Sequence, residues 1–291
     1  MGVTTSWPVV LKLGGELLQD PSRLTEIAAA IVRCSSGVPL LVVHGGGREV
    51  DVALRQTGIE PRKVDGVRIT DGPTLAVVVS VLGGLVNARL VAAIVSAGAP
   101  AVGLTGADAA CVPVSPARPV QARSGESVDL GLVGTPTGDR SPALIEELLA
   151  GGYVPVLASI GLGSDGVLYN VNADAFAADL AIRLHASRLV IAGSTPGVCD
   201  RHGRTIADLD IERLTALIAT GEANAGMVAK LRSVLDAVRG GVREIILADG
   251  SDAHALSELV AHGSSEQRAR YTRIGAMAAP AGAPDRVPVR N

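Results

Sequence analysis

The chain predicts an α/β fold: a three-layer α/β/α sandwich around a largely parallel central sheet. Three observations carry that expectation. Apolar runs such as PVVLKL, PLLVVH, YVPVLA, RLVIAG and REIILA recur without strict alternation, as strands buried on both faces do. Segments with apolar residues at helical spacing lie between them. Glycine-rich turns stand at the strand ends. With 291 residues and 47% hydrophobic content, the chain suits one large α/β domain or two lobes sharing a sheet.

The elements follow in order. PVVLKLGGELL is a buried strand running into a Gly-Gly turn, and PSRLTEIAAAIVRC is a helix with Leu24, Ile27, Ala28 and Ile31 on one face. PLLVVH is the second strand, ended by three glycines. REVDVALRQT is a helix with Val50, Ala53 and Leu54 inward and Gly58 as its cap. This strand–helix–strand unit is right-handed by default. Residues 73–98 form a helix that is apolar around most of its circumference, kinked at Gly83-Gly84. Such a helix needs two partners, the sheet and a second subunit. AAVGLTGAD is a strand and turn, and residues 111–135 are a β-hairpin excursion with CVPV and LGLVGT as its arms. SPALIEELLAGG is a helix with Ser141 as N-cap and Pro142 at its first position. YVPVLASIG is a strand, and VLYNVNADAFAADLAIRLHA passes from strand to helix. Then come strand RLVIAGS, hairpin arm RHGRTI, helices IERLTALIATG and AGMVAKLRSVLDAVRGG, strand REIILADG, helix HALSELVAHG, and RYTRIG as a last edge strand. The tail AAPAGAPDRVPVRN has the composition of a disordered segment.

Composition excludes several classes of function. A net charge of −3 argues against nucleic acid or an anionic membrane held by bulk charge. Cys34, Cys111 and Cys199 are far apart and odd in number, and no metal spacing joins them to a histidine. They are expected to be reduced thiols in a cytoplasmic protein, and no protein-held metal is expected. No stretch suits a secretory signal or a membrane span, because the apolar region near 75–98 is interrupted by Ser80, Gly83, Gly84, Asn87 and Arg89. MGVTTS fits the short myristoylation pattern, but the strand-like WPVVLKL starts at once.

Of 26 basic residues only Lys12, Lys63 and Lys230 are lysine. In a chain so biased to arginine, a surviving lysine marks a place where a planar guanidinium does not fit. Lys63, in the loop-like PRKVDG, is the exception and is expected to have no role. Lys12, Gly14 and Gly15 close the first strand, and Gly45, Gly46 and Gly47 close the second. A glycine turn between a strand and a helix presents bare N–H groups at a positive helix end, which builds an anion site. The turn is neither a Walker A loop nor GxGxxG. In open α/β sheets ligands bind outside the carboxyl ends of the strands, so the two turns share a rim. NVNAD adds Asn170 and Asn172 on one strand face by period two, with Asp174 at the turn into a helix; the same residues also suit an Asx-turn and helix cap. In AGMVAK, Gly226 opens the helix that carries Lys230. Lysines, glycine amides and one carboxylate, without a histidine nucleophile constellation, suit phosphoryl transfer.

KLGG, VVHGGG, GVRITD, VNARLV, AVGLTGAD, YNVNAD, STPGV and GMVAK stand in this order between about residue 9 and about 250. In this the chain resembles the amino acid kinase family, and within it the branch serving arginine biosynthesis. The resemblance implies ATP-dependent phosphorylation of the side-chain carboxylate of N-acetyl-L-glutamate to an acyl phosphate, with Mg2+ carried by the nucleotide phosphates. It implies that Lys12 and Lys230 stabilise the moving phosphoryl group and that Asp174 holds both. Gly14, Gly15 and Gly46 would offer N–H groups to phosphate oxygens, and Gly46 and Gly47 would border the substrate. Arg68 would grip its α-carboxylate, and Asn170 and Asn172 its other polar groups. Ser194, Thr195, Pro196, Gly197, Val198, Cys199, Gly226 and the segment Glu222–Asn224 would lie at the nucleotide. An N-terminal lobe over 1–182 would bind substrate and dimerise, a C-terminal lobe over 183–275 would bind nucleotide, and 276–291 would be a tail. A homodimer without strong arginine feedback is implied, because inhibited members carry a longer N-terminal helix. Ser194-Thr195 stands where relatives often carry Asp, Ala225 replaces a usual Gly, and the closing segment GSSEQRARYTRIG is longer than the family's. A kinase for carrier-bound aminoadipate or glutamate, and a non-catalytic sensor of the same fold, are the alternatives.

Overall fold

A computed structural model describes residues 7–64, 66–121, 125–138, 141–220, 225–264 and 271–275. The myristoylation-like start, the segment Glu222–Asn224 and the tail lie outside them.

The apolar runs Val9–Leu13 (β1) and Leu40–His44 (β2) are strands buried along their whole length. Between them Asp20 caps α1 (Pro21–Ser35) by accepting from the Arg23 N–H. α2 (Gly47–Gln56) begins inside the second glycine turn. β3 (Lys63–Val64) and β4 (Val67–Arg68) form a short antiparallel hairpin. α3 (Gly72–Val79) and α4 (Asn87–Ala97) are joined by a π-helical stretch over Ser80–Val86. The kink expected at Gly83-Gly84 is therefore a widening of the helix, with no break in it. By length and hydropathy Gly72–Ala97 would pass for a membrane span. Its polar residues are engaged inside the fold, however: Asn87 bonds His44, and Arg89 pairs with Glu49.

β5 (Ala101–Thr105) precedes the excursion, in which β6 (Pro113–Pro116) pairs with β9 (Val133–Pro136) and β7 (Val120–Gln121) with β8 (Ser127–Val128). α5 (Ala143–Ala150) starts one residue later than expected. Pro142, with ψ at 73°, is itself the N-cap, and Ser141 makes no side-chain cap. Next come β10 (Val154–Ala158), β11 (Ile160–Gly163), β12 (Leu168–Val171), α6 (Ala173–Arg183) and β13 (Arg188–Gly193). The chain continues through β14 (Asp208–Leu209), α7 (Ile211–Thr220), α8 (Ala225–Arg239), β15 (Glu244–Asp249), α9 (Ala253–His262) and β16 (Tyr271–Ile274).

The main sheet has eight strands in the order β14-β16-β15-β13-β1-β2-β10-β5. Its central strands are parallel, whereas β16 runs antiparallel to β15. RYTRIG is thus not the edge, since the two-residue β14 covers it. β6, β9, β11 and β12 close a small barrel. One core packs α1, α2, α3, α4 and α9 on one sheet face, and the other packs α5, α6, α7 and α8 on the opposite face.

Strand alternation then sorts the polar residues. Lys12 shares the face of Val10, which is covered by α6 and α8. His44 shares the face of Leu40 and Val42, which is covered by α4.

Candidate active site

Lys12, Asp174 and Lys230 meet although they are far apart in sequence. Lys12 Nζ lies 2.8 Å from Asp174 Oδ1, and Lys230 Nζ lies 3.0 Å from Oδ2. Asp174 stands in the first turn of α6, where the Asn172 side chain accepts from the N–H groups of Asp174 and Ala175. Burial alone would raise the pKa of Asp174. The two ammonium groups outweigh it and hold the carboxyl well below the usual carboxylate range. Lys230 is pushed below its ordinary value by burial and then by Lys12. Asp174 balances one of its two ammonium partners, and Glu16 is a second carboxylate whose charge reaches Lys230, so the lysines are held where an anionic ligand can meet them.

The glycine turns differ from the simple expectation. The Gly14 N–H donates to the Ala192 carbonyl at 2.8 Å, and the Gly45 N–H to Leu13 at 3.1 Å. Both extend the parallel ladder, so Gly14 offers no N–H to a ligand. Gly15 opens a short 3-10 turn, Gly46 is the N-cap of α2 and Gly47 its first residue. First-turn N–H groups have no acceptor within their own helix. The turns also crowd each other: a Cβ on Gly15 would lie 2.5 Å from Gly46 Cα.

Glu16 was not legible as a site residue. Its carboxylate lies over Gly14, where an added Cβ would come 2.5 Å from Oε1, and it accepts from the Ser194 N–H at 3.2 Å. The loop Ser194–Cys199 follows β13. There Val198 donates its N–H to Thr272 Oγ1 at 2.8 Å, Gly197 takes φ +118 against the same threonine, and Cys199 bridges to Thr205. Thr195 and Pro196 lie between these anchored points. Gly226, at the start of α8, faces the turn of the β3–β4 hairpin, with its Cα 3.6 Å from a Cβ built on Gly66.

Beside this rim opens a cavity of roughly 180 Å³, room for an amino-acid-sized molecule, lined by Gly46, Gly47, Lys63, Arg68, Asn170 and Asn172 among others. Arg68 is buried. Its Nη2 lies 2.6 Å from Asp51 Oδ1 and donates to the Gly47 carbonyl at 3.1 Å. Its Nη1 is buried with no hydrogen-bond partner among the described residues. Burial raises the Asp51 pKa, and its bonds to Lys63 and Arg68 lower it by more. The expectation that Lys63 is idle fails. In the hairpin it pairs directly opposite Arg68, and its Nζ lies 2.7 Å from Asp51 Oδ2. Asn170 donates to Thr70 Oγ1 at 3.1 Å, which leaves its oxygen available. Asn172 departs from the period-two pairing because β12 ends at Val171. Its oxygen caps α6, and only its amide nitrogen remains for a ligand.

A parallel sheet whose adjacent strand ends carry two glycine turns, with two lysines sharing one buried aspartate beside them, defines the class. The chain belongs to the amino acid kinase family, which matches residues 7–249. Among curated relatives it is 39% identical over 251 residues to the acetylglutamate kinase of Azoarcus sp., covering 85% of this chain and 83% of that one. It is 39% identical over 249 residues to the acetylglutamate kinase of Chromobacterium violaceum, covering 85% and 86%. Solved structures agree on the fold. N-acetylglutamate synthase from Neisseria gonorrhoeae superposes with a TM-score of 0.76 at 24% identity over 93% of this chain, which spans 60% of that longer one. An isopentenyl phosphate kinase gives 0.63 at 19% identity, covering 92% and 99%.

Proposed function

We propose that this chain acts as an acetylglutamate kinase. It transfers the γ-phosphoryl group of ATP to the side-chain carboxylate of N-acetyl-L-glutamate, giving ADP and an acyl phosphate, in arginine biosynthesis. The observation that carries this reading is the Lys12–Asp174–Lys230 cluster beside a cavity whose Arg68 keeps a buried Nη1 without a hydrogen-bond partner among the described residues. The relatives' names support it.

The nucleophile is a carboxylate, ionised at neutral pH, so no general base is needed. One carboxylate oxygen bonds to phosphorus as the bond from phosphorus to the bridging oxygen breaks, and that oxygen leaves on ADP. Charge spreads over the three phosphoryl oxygens in transit. Lys12 and Lys230 balance it, and the N–H groups of Gly15, Gly46 and Gly47 add donors that need no reorganisation. Asp174 keeps the two ammonium groups together despite their repulsion. Arg68 and Asn170 hold the α-carboxylate and neighbouring polar groups, and Lys63 and Asp51 steady Arg68. The loop Ser194–Cys199 and Gly226 border the nucleotide.

Mg2+ carried by the nucleotide phosphates would neutralise part of their charge. Glu16 places a hard oxygen donor at the same rim, which fits such an ion. Residues 1–182 carry the amino-acid site and 183–275 the nucleotide side, in a cytoplasmic homodimer. Leu85 and Val95, 59% and 51% exposed on the long apolar helix, support that contact.

The test is coupled ADP release with N-acetylglutamate, glutamate, aspartate and a carrier-bound aminoadipate. Preference for N-acetylglutamate is expected. Preference for the carrier-bound substrate, or no turnover of any, overturns the reading. A monomer by light scattering overturns the dimer.

A further inference from the structure

His44 ends β2 fully buried, and nothing in the phosphoryl-transfer scheme uses it. Its hydrogen bonds fix its chemistry. Asn87, which opens α4 directly after the π-helical stretch, donates from Nδ2 to the Val156 carbonyl at 2.9 Å. A carbonyl only accepts, so the nitrogen end of the amide must face it. The same Nδ2 lies 3.0 Å from His44 Nε2. Nε2 is then the acceptor, and the proton of the neutral ring sits on Nδ1, 3.0 Å from the Gly45 carbonyl oxygen. Burial, reinforced by Arg89, lowers the ring's pKa to about 4, so the neutral form prevails at neutral pH.

The Gly45 carbonyl shares a peptide plane with the Gly46 N–H, and in a trans peptide the two point in opposite directions. Glycine on both sides means that no Cβ resists rotation of that plane. The planes before and after it are pinned, by Gly45 N–H to Leu13 at 3.1 Å and by Val50 N–H to the Gly46 carbonyl at 3.0 Å. The plane between them is held by His44. With the carbonyl drawn to the imidazole, Gly46 N lies beside Gly15, 2.8 Å from an ideal Cβ there, at the rim that Lys12 approaches.

We propose that His44 is a positioning residue, which locks the Gly45–Gly46 peptide so that the Gly46 N–H faces the transferring phosphoryl group, with Asn87 setting the tautomer that makes the lock possible. Its catalytic consequence rests on the kinase reading above; the lock itself does not. Imidazole 15N NMR of the full chain tests the lock whatever the substrate. Nδ1 should carry the proton and Nε2 be bare between pH 6 and 8 (roughly the range in which a free imidazole would titrate). An Nε2–H tautomer or a cationic ring overturns it.

Kinetics test the consequence, once the unaltered protein has turned over ATP and N-acetylglutamate. His44→Asn puts an amide donor near the Nδ1 position. His44→Gln reaches the Nε2 position and loses the bond to Gly45. Loss of one preorganised N–H donor is worth about a hundred-fold or more in rate. His44→Gln should therefore lose about a hundred-fold in kcat and His44→Asn less than about ten-fold, with both KM values within about three-fold. Equal losses in the two variants, or losses that track Tm, overturn the proposal. Where neither variant folds, the tautomer of the unaltered protein decides.

Discussion

The two glycine turns are neighbours, with Leu13 of β1 in register with His44 of β2. In both, the first glycine extends the ladder, Gly14 to Ala192 and Gly45 to Leu13. Beyond that they part. The first turn sits under the Glu16 carboxylate and beside Ser194. The second opens to the cavity, where Gly47 accepts from Arg68. The comparison teaches that glycine serves separate physical purposes here. Gly15 and Gly46 are needed because two backbones and the Leu82 side chain crowd together, Gly14 makes room for the carboxylate of nearby Glu16, and Gly47 meets nothing within 4 Å.

Substitutions at these turns break or sharpen the contrast. The largest effect is expected for Gly15→Ala, whose Cβ would lie 2.5 Å from Gly46 Cα, a backbone atom that cannot swing aside. A displacement near an ångström at both turns should lower kcat/KM by more than about a hundred-fold and depress Tm. Gly47→Ala should leave Tm nearly unchanged, because its Cβ meets no protein atom within 4 Å. Steady-state kinetics and thermal melts check both, and comparable losses of Tm would erase the distinction.

Next in size are Lys12→Arg and Lys230→Arg. Each keeps the charge but widens the head group beside Asp174, and each should cost about a hundred-fold in kcat while nucleotide binding persists. A near-normal kcat for Lys12→Arg, with nucleotide binding followed by calorimetry, would place the chemistry elsewhere.

Arg68→Ala removes a buried clamp from the cavity side alone. It should raise KM for N-acetylglutamate by roughly ten- to a hundred-fold and leave KM for ATP nearly unchanged. Equal damage to both constants would dissolve the division between the two sides. Lys63→Arg preserves the charge on Asp51 and should raise the same KM only a few-fold.

The last effect is a matter of pH. The buried ring of His44 titrates at about 4, against 6.5 for an exposed histidine. The unfolded chain therefore takes up this proton first, and stability that is full above pH 6.5 is lost as pH falls towards 4. The full loss is about 3 kcal/mol. Asp174 has a depressed pKa too, but its contribution is present above the ordinary carboxylate value and goes only as pH falls through its lower folded value. Chemical denaturation of the unaltered protein and of His44→Asn between pH 7 and 4.5 (a span of about 2.5 pH units) separates the two. The decline in this range should shrink in the variant, and an unchanged decline would place its origin elsewhere.

Much of this was legible in the sequence because it is local. Unbroken apolar runs gave the central strands, and helical spacing gave α1 and α2. KLGG, HGGG, NVNAD and GMVAK pointed to Lys12, the glycine turns, Asp174 and Lys230 because each motif is a strand end or a helix start. The exceptions were contacts made at a distance. Lys63 looked like loop because a hairpin turn, not its own neighbours, sets it opposite Arg68. Glu16 gained meaning only from Ser194, 178 residues away, and His44 only from Asn87, 43 residues away.

Periodicity fixed only that Lys12 leaves β1 on the side of Val10 and that His44 leaves β2 on the side of Leu40 and Val42. It could not fix what each would find there. That depended on strand order, which places β1 between β13 and β2 and lays α6 and α8 on one face and α4 on the other. Side-chain alternation is a property of a few neighbouring residues, whereas strand order is settled by packing the whole apolar surface at once, and so only the tertiary structure decided it.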